Sequence, residues 1–546
     1  MTDLEHTPDD GAGDGGGGDG RRADGRGAGG RDLLSRRQVL TAAGVAAGVA
    51  VGGGAVGLAQ LRKSKHDDPA PKVVRRTNRR LRSFPSKSTG ASPKFRSRPD
   101  LHPAPVATAG TAGAPGYLFL GPGSTDGFTK GPPKGGPQQG PQIVDERGEL
   151  VWFRPLPGTD WATNVRVQSY RGQPVLTWWQ GKVVNPGFGQ GEGVIVDASY
   201  REVARVRAGN GRQADLHEFL LTPQGTALIT CCPPAVRADL TPIGGPRGGQ
   251  VLESIIQEID VASGRLLFEW RSLDHIAVSE SYQPYAQPYD YLHVNSIEPL
   301  PDGNLLVSAR ATFGLYKLDR RTGAVIWRLG GKRSDFKLGQ GAAFAWQHDA
   351  RQIADGMITI FDDGAGPEKA EKQSRAIILE VDEARRTAAL GRAYRHPTPL
   401  LAASMGNVQL LPDGHVLVGW GAQRYVSEFT AAGKWLADAR LPPGLLSYRA
   451  YRCPWRGIPH LPPALVSRRD NDPDPPVLFA SWNGATEITH WRVEVGPSAD
   501  RLRPFGIAKR LGFETGIPLK VSEGYAAVTA LDAGGHALAR SAAIRI

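Results

Sequence analysis

Residues 293–329 read HVNSIEPLPDGNLLVSARATFGLYKLDRRTGAVIWRL, and the order of turns and apolar runs in this stretch decides the fold. Two reversals, Pro301-Asp302-Gly303 and Arg321-Thr322-Gly323, separate short runs of Leu, Val and Ile. Pro presets a backbone angle, Asp bonds its own turn and Gly accepts a positive φ, so each reversal predicts a β-hairpin. The first kind returns as YRGQPVLTWW, LTPQGTALIT, IADGMITIFD and LPDGHVLVGW. The second returns as VDERGELVWF, VDASYREVARV, IDVASGRLLFEW, VDEARRTAALGRA and FTAAGKWLADA, near residues 145, 197, 260, 382 and 430, with the quoted copy near 319. Two hairpins every 50 to 60 residues make a four-stranded unit with the period of a propeller blade. The sequence therefore predicts an all-β chain, with a six-bladed β-propeller over 116–465 whose ring closure removes sheet edges. Beyond the break SRRDNDPDPP, the alternating strands of 470–546 predict a small fibronectin type III-like β-sandwich, Trp491, Val493 and Val495 sharing one buried face.

The charge is concentrated away from these modules. Residues 61–98 hold 13 Lys and Arg against Asp67 and Asp68, which is +11 of the chain's net +12. A basic body that grips nucleic acid is thereby excluded, and 61–115 reads as a basic disordered tether. Ahead of it, Ser35-Arg36-Arg37-Gln38-Val39-Leu40 precedes the Ala/Gly-rich run TAAGVAAGVAVGGGAVGLA, so 1–60 reads as a twin-arginine signal region. That implies passage through the Tat translocon to an extracytoplasmic location, secreted or anchored by an uncleaved signal helix. Residues 39–98 would then lie against membrane or cell wall. Cys231, Cys232 and Cys453 are too few for a disulfide scaffold and lack zinc-ligand spacing.

Three histidines open equivalent strands of successive units: His217 before LLTPQGTALIT, His293 before IEPLPDGNLLVSAR, and His348 before RQIADGMITIF. In a closed ring such positions face one axis. Asn295 falls two residues after His293, on the same side of a strand, and Arg310 ends the returning strand of that unit. Imidazoles, a carboxamide and a guanidinium suit an oxyanion with several oxygens. Three histidines also suit zinc, but an adjacent guanidinium disfavours a cation. The sequence shows no competing acidic cluster, no nucleotide loop and no need of a cofactor. The loop SYQPYAQPYDY, with Tyr282, Tyr285, Tyr289 and Tyr291, and Phe344 and Trp346 are candidates to receive an aromatic ring.

DLHEFLLTPQG, YLHVNSIEPLPDGNLLVSAR and WQHDARQIADGMITIFDDGAG resemble the arylsulfotransferase (aryl-sulfate sulfotransferase, ASST) family over roughly 116–465. The resemblance implies a six-bladed propeller and transfer of a sulfuryl group from a phenolic sulfate ester to a phenolic acceptor, without an adenosine-phosphosulfate donor. It further implies a ping-pong mechanism through a sulfated histidine, with His348 as nucleophile and His217, His293, Asn295 and Arg310 holding the sulfate. Two features depart from the family pattern: its N-terminal β-sandwich is replaced by the basic segment, and the C-terminal module is extra. Two other classes stay open from the residues alone. One is a non-catalytic propeller that binds a wall polymer or protein. The other is a quinoprotein-like dehydrogenase, which the adjacent Cys231 and Cys232 resemble but which would need about eight blades and acidic calcium ligands.

Overall fold

The structure is a computed structural model that describes residues 79–85, 92–124, 135–184, 187–367, 371–468, 475–521 and 524–546. The expected signal region at 1–60 and the start of the expected tether lie outside these residues. The fold is all-β: among the described residues the helical elements are three single turns, Thr241–Ile243, Ser272–Asp274 and Val278–Glu280. No helix among them is long and apolar enough to cross a membrane.

Between Trp161 and Arg440 most strands fall into five successive four-stranded antiparallel units, the first two joined into one sheet where Ala214 pairs with Gly191; the hairpin of Ala235–Ala238 with Gly249–Leu252 and the short parallel strand Lys337–Leu338 are additions to them. Residues 294–330 supply one of them, with Val294–Pro299, Leu305–Ala309, Gly314–Leu318 and Val325–Gly330 paired in chain order. The unit before it comprises Ala214–Leu221, Thr226–Cys231, Ile255–Asp260 and Leu266–Arg271; the unit after it comprises His348–Ala354, Met357–Asp362, Arg375–Asp382 and Thr387–Tyr394. A sixth unit is assembled from both ends of this run. Its strands Tyr117–Ser124, Gln142–Val144 and Leu150–Phe153 take Leu445–Cys453 as their fourth member, with Leu445 opposite Ser124 and Cys453 opposite Tyr117.

The turn chemistry read from the sequence is visible in the hydrogen bonds. Asp145, Asp197, Asp260, Asp319 and Asp382 each accept from a backbone N–H two to four residues ahead, the Asx turn that reverses the chain into the last strand of a unit. Gly323 completes one such turn at φ +77°, where a side chain would be strained. Large side chains, among them Trp178, Trp179, Trp327 and Trp420, fill the layers between units and are fully buried.

The expectation of a disordered tether through residue 115 is corrected by the structure. Ala107–Gly110 adds a strand to the unit containing Trp435–Arg440, with Ala107 opposite Arg440. Phe95 packs on Phe513 with ring centroids 4.4 Å apart, Leu101 is wholly buried, and Ser97 donates from both N and Oγ to Glu514 at 2.6 Å. Isolated anchors such as these leave no period-2 pattern, so the surrounding Lys, Arg and Ser dominated the sequence reading.

The C-terminal residues build two sheets over a shared apolar cluster that includes Leu478, Trp491, Val493, Ile517 and Val528. One sheet orders Phe84–Pro85, Glu514–Pro518, Val477–Ser481 and Ala464–Arg468; the other orders Arg503–Lys509, His490–Gly496, Tyr525–Leu531 and Ala537–Arg540. This module thus begins before residue 470 and recruits a strand from the N-terminal segment. Burial alternates at Trp491 and Val493 as the sequence requires.

Candidate active site

Bulges decide where the polar side chains of the first strands point. Register shifts occur between Thr163 and Arg166, Ala214 and Phe219, Val294 and Ser296, His348 and Arg351, and Ser447 and Ala450. Each extra residue bends the strand and re-aims its side chains. Asn164, His217, Glu218, Asn295, Asp349, Tyr448 and Arg449 all sit within these interruptions. Asn164, His293, Asp349 and Met405 carry φ between +53° and +69°, a conformation costing of order 1 kcal/mol or more for such residues and concentrated where function needs it.

His217, His293, His348 and Arg310 line one cavity of about 470 Å³, together with Trp161, Leu216, Met405 and Tyr448. The three imidazoles converge as their repeat positions predicted. His217 and His293 bring their Nε2 atoms to 3.1 Å, and the Phe188 ring lies beside both. Arg310 reaches His293 Nδ1 at 3.2 Å and Asp290 at 3.5 Å, with its guanidinium carbon 4.5 Å from the Trp346 ring centre. Asn295 does not join them. It is wholly buried, its amide donates to the Gln347 carbonyl at 2.7 Å, and it is absent from the cavity wall. The bulge at this residue breaks the two-residue alternation that placed it beside His293.

The expectation that no acidic cluster attends the histidines is also corrected. Each Nδ1 meets a carboxylate: His217 meets Asp215 at 2.5 Å, His293 meets Asp290 at 2.6 Å and His348 meets Asp363 at 2.7 Å. Asp215-x-His217 and Asp290-x-x-His293 were visible as spacings, whereas Asp363 comes from the end of the neighbouring strand. The Met405 N–H donates to His348 Nε2 at 3.2 Å, so that nitrogen holds a lone pair and the ring proton sits on Nδ1, against Asp363. Burial, then the Arg310 guanidinium, push His348 well below the usual imidazole range, which keeps it neutral and nucleophilic. Burial, with Asp362 nearby, pushes the Asp363 carboxyl well above the usual range. His293 is held down at about 4 by burial and by Arg310.

Beneath the histidines lies an ionic hub the sequence reading missed. Glu218 is fully buried and meets Arg166 at 3.0 Å, Arg351 at 2.5 Å and Arg449 at 3.2 Å. Arg449, from the closing strand Leu445–Cys453, also donates to Asn164 Oδ1 and to the Asn295 carbonyl at 2.7 Å, and lies 3.2 Å from Asp349. These charges come from strands far apart in the chain, Arg449 from the strand that pairs with Tyr117–Ser124. The aromatic expectation is partly displaced as well. Tyr289 and Tyr291 are core residues, Tyr285 is exposed, and Phe344 packs against Gly330, so Trp161 and Tyr448 are the aromatic side chains in the cavity wall. Cys231, Cys232 and Cys453 are free thiols. Among the described residues, Asp413, His415 and Glu428 bring ligand atoms within 4.8 Å of one another, a grouping that does not include the three cavity histidines.

Residues 166–441, about half of the chain, match the model of the arylsulfotransferase (ASST) family. The chain belongs to that family. All five residues expected at the site fall inside the matched span, while Tyr448 and Arg449 lie just beyond it. This arylsulfotransferase-family chain matches no curated protein. It is similar to a solved protein of unknown function from Bacteroides caccae, at 14% identity over 62% of this chain and 98% of that one, with a TM-score of 0.38. It is also similar to an inactivated virginiamycin B lyase from Staphylococcus aureus, at 9% identity over 76% of this chain and 99% of that one, with a TM-score of 0.31.

Proposed function

We propose that this chain moves a sulfuryl group from a phenolic sulfate ester to a phenolic acceptor through a sulfated His348. The observation that carries this reading is the cavity itself: in a chain of this family, a neutral imidazole held by Asp363 faces a guanidinium and two further imidazoles. In the first half-reaction the His348 Nε2 lone pair attacks sulfur, exchanging the Met405 N–H for a covalent bond. The S–O bond to the phenol breaks on the opposite side, and its electron pair leaves on the phenolate oxygen. The ring gains positive charge as the N–S bond forms, and Asp363 is poised to share the Nδ1 proton. Arg310 meets the charge that builds on the sulfuryl oxygens. In the second half-reaction an acceptor phenol oxygen attacks sulfur, and the N–S pair returns to His348.

In the same reading the six four-stranded units are the blades of a six-bladed β-propeller closed by Leu445–Cys453, and the C-terminal sheets form a fibronectin type III-like sandwich. Support comes from the regular repeat, the pairing of the two ends, and the side chains of separate units that meet at Arg449. The twin-arginine motif supports export in the folded state; replacing Arg36 and Arg37 by Lys together is expected to retain the protein in the cytoplasm, and unchanged secretion would sink that assignment.

The test of the chemistry is mass spectrometry of the protein after brief exposure to 4-nitrophenyl sulfate without acceptor. The expected result is one added SO3 on the peptide containing His348, discharged when phenol is added. Turnover with the group on another residue, or with no adduct at all, would remove the proposed intermediate.

A further inference from the structure

The contacts of His217 and His293 require more protons than two neutral imidazoles carry. Asp215, His217, His293 and Asp290 form a chain of four groups joined by three contacts, at 2.5, 3.1 and 2.6 Å. Each junction sets two lone-pair atoms face to face and therefore needs a proton between them. Two carboxylates and two neutral imidazoles would supply two. Three protons would satisfy all three junctions, one more than that.

The surroundings favour that excess. Asp215 is fixed by the Gly189 N–H at 2.5 Å and by Thr230 Oγ1 at 3.1 Å, so its carboxylate cannot turn away. Asp290 is pinned between His293 and Arg310. The imidazoles beside both lower the two carboxyls against the opposing effect of burial. The charged and titratable groups facing the pair are these two acids, Arg310, His348 and Tyr448, with Asp363 behind His348. Arg310 touches the His293 ring and repels positive charge from it. The N···N junction opens into the cavity that holds His348.

We propose that Asp215 and Asp290 are positioning residues that hold one excess proton on the His217–His293 pair, as the acid for the departing phenolate and the base for the arriving phenol. This rests on the sulfuryl-transfer reading. As the S–O bond breaks, the phenolate oxygen replaces one ring as partner of the shared proton and leaves as phenol, and the chain falls to two protons. In the second half-reaction the acceptor's O–H proton returns to the chain while its oxygen attacks sulfur on His348. Three protons are restored and nothing is consumed.

The pair's role is read in the dependence on leaving group. A phenolate that is a weak base departs unaided, whereas a basic one needs the proton. In Asp290→Asn, single-turnover sulfation is expected to fall by less than about 5-fold with 4-nitrophenyl sulfate and by about 100-fold with 4-methylphenyl sulfate. The alkaline limb of the pH profile with the latter donor is expected to move down by about one pH unit or more, because the His217–His293 pair loses one of the two carboxylates that balance its charge. Asp290→Glu, which restores the carboxylate, is expected to recover part of both. Equal losses with the two donors, or an unmoved alkaline limb, would overturn the assignment. Independently of turnover, 15N-histidine spectra of the resting protein near neutral pH should count three ring protons on the pair. Two ring protons, or a divalent ion between the rings, would refute it even if His348 still takes up SO3. Absence of any adduct in the wild-type protein would instead remove the sulfuryl-transfer reading on which it stands.

Discussion

A His348→Asn variant is expected to lose sulfuryl transfer from 4-nitrophenyl sulfate to phenol by on the order of 10⁴-fold or more, with its fold intact. Asparagine is the informative replacement because its amide can still donate to Asp363, where the wild-type ring contributes Nδ1 at 2.7 Å. The buried carboxyl then keeps a partner, and what disappears is the Nε2 lone pair. Other groups around the cavity, Arg310 and the two remaining imidazoles, would still bind the donor, so affinity should change far less than turnover. The measurement is steady-state transfer beside equilibrium binding of a non-reacting aryl sulfonate. A variant that turned over within tenfold of wild type would show that another residue accepts the sulfuryl group.

The second large effect concerns stability. Glu218→Ala leaves Arg166, Arg351 and Arg449 facing one another in a site from which water is excluded, since the glutamate side chain is wholly buried and Arg449 equally so. Breaking a buried ion pair by deleting one partner costs about 3–5 kcal/mol; here Arg166 loses the carboxylate it pairs with, while Arg351 keeps Asp349 and Glu298 and Arg449 keeps Asp349. Denaturant unfolding should show a loss of about this size. By contrast, Glu192→Ala at the exposed Arg205 and Arg207 pairs should change stability by at most about 1 kcal/mol. The three guanidiniums hold Glu218 at about 2 against the opposing push of burial, below the ordinary 4.5. A depressed carboxyl contributes stability that is fully present above the unfolded value and fades as pH falls from about 4.5 towards 2. Wild type should therefore weaken in that window relative to Glu218→Ala, and parallel acid titrations would contradict the hub. Since Glu218 adjoins His217 and Asp349 adjoins His348, the variant should also lose catalytic geometry.

Local chemistry made much of this protein legible before any coordinates. Turn residues recur with a fixed spacing, and the hydrogen bonds of Asp145, Asp197, Asp260, Asp319 and Asp382 show the local reversals that the spacing implied. Because His217, His293 and His348 occupy one position in a repeat, their convergence followed from symmetry without knowledge of distances. Asn295 was misplaced because strict alternation was assumed across a bulge. The tyrosine loop was misread because aromatic content says nothing about whether a ring faces solvent, core or cavity.

What the amino-acid sequence determined by itself was the β-class, the repeat and the family, all of which depend on neighbours a few residues apart. The tertiary structure alone decided the Asp363–His348 pair, the reach of Arg449 to Asn164 and Glu218, and the packing of Phe95 and Leu101 against the folded body. Those contacts join residues brought together by the pairing of distant strands, such as Leu445–Cys453 with Tyr117–Ser124, and by bulges that turn a strand by one position. A pairing of that kind is set by which backbone registers fit, and no periodic pattern along the chain records it.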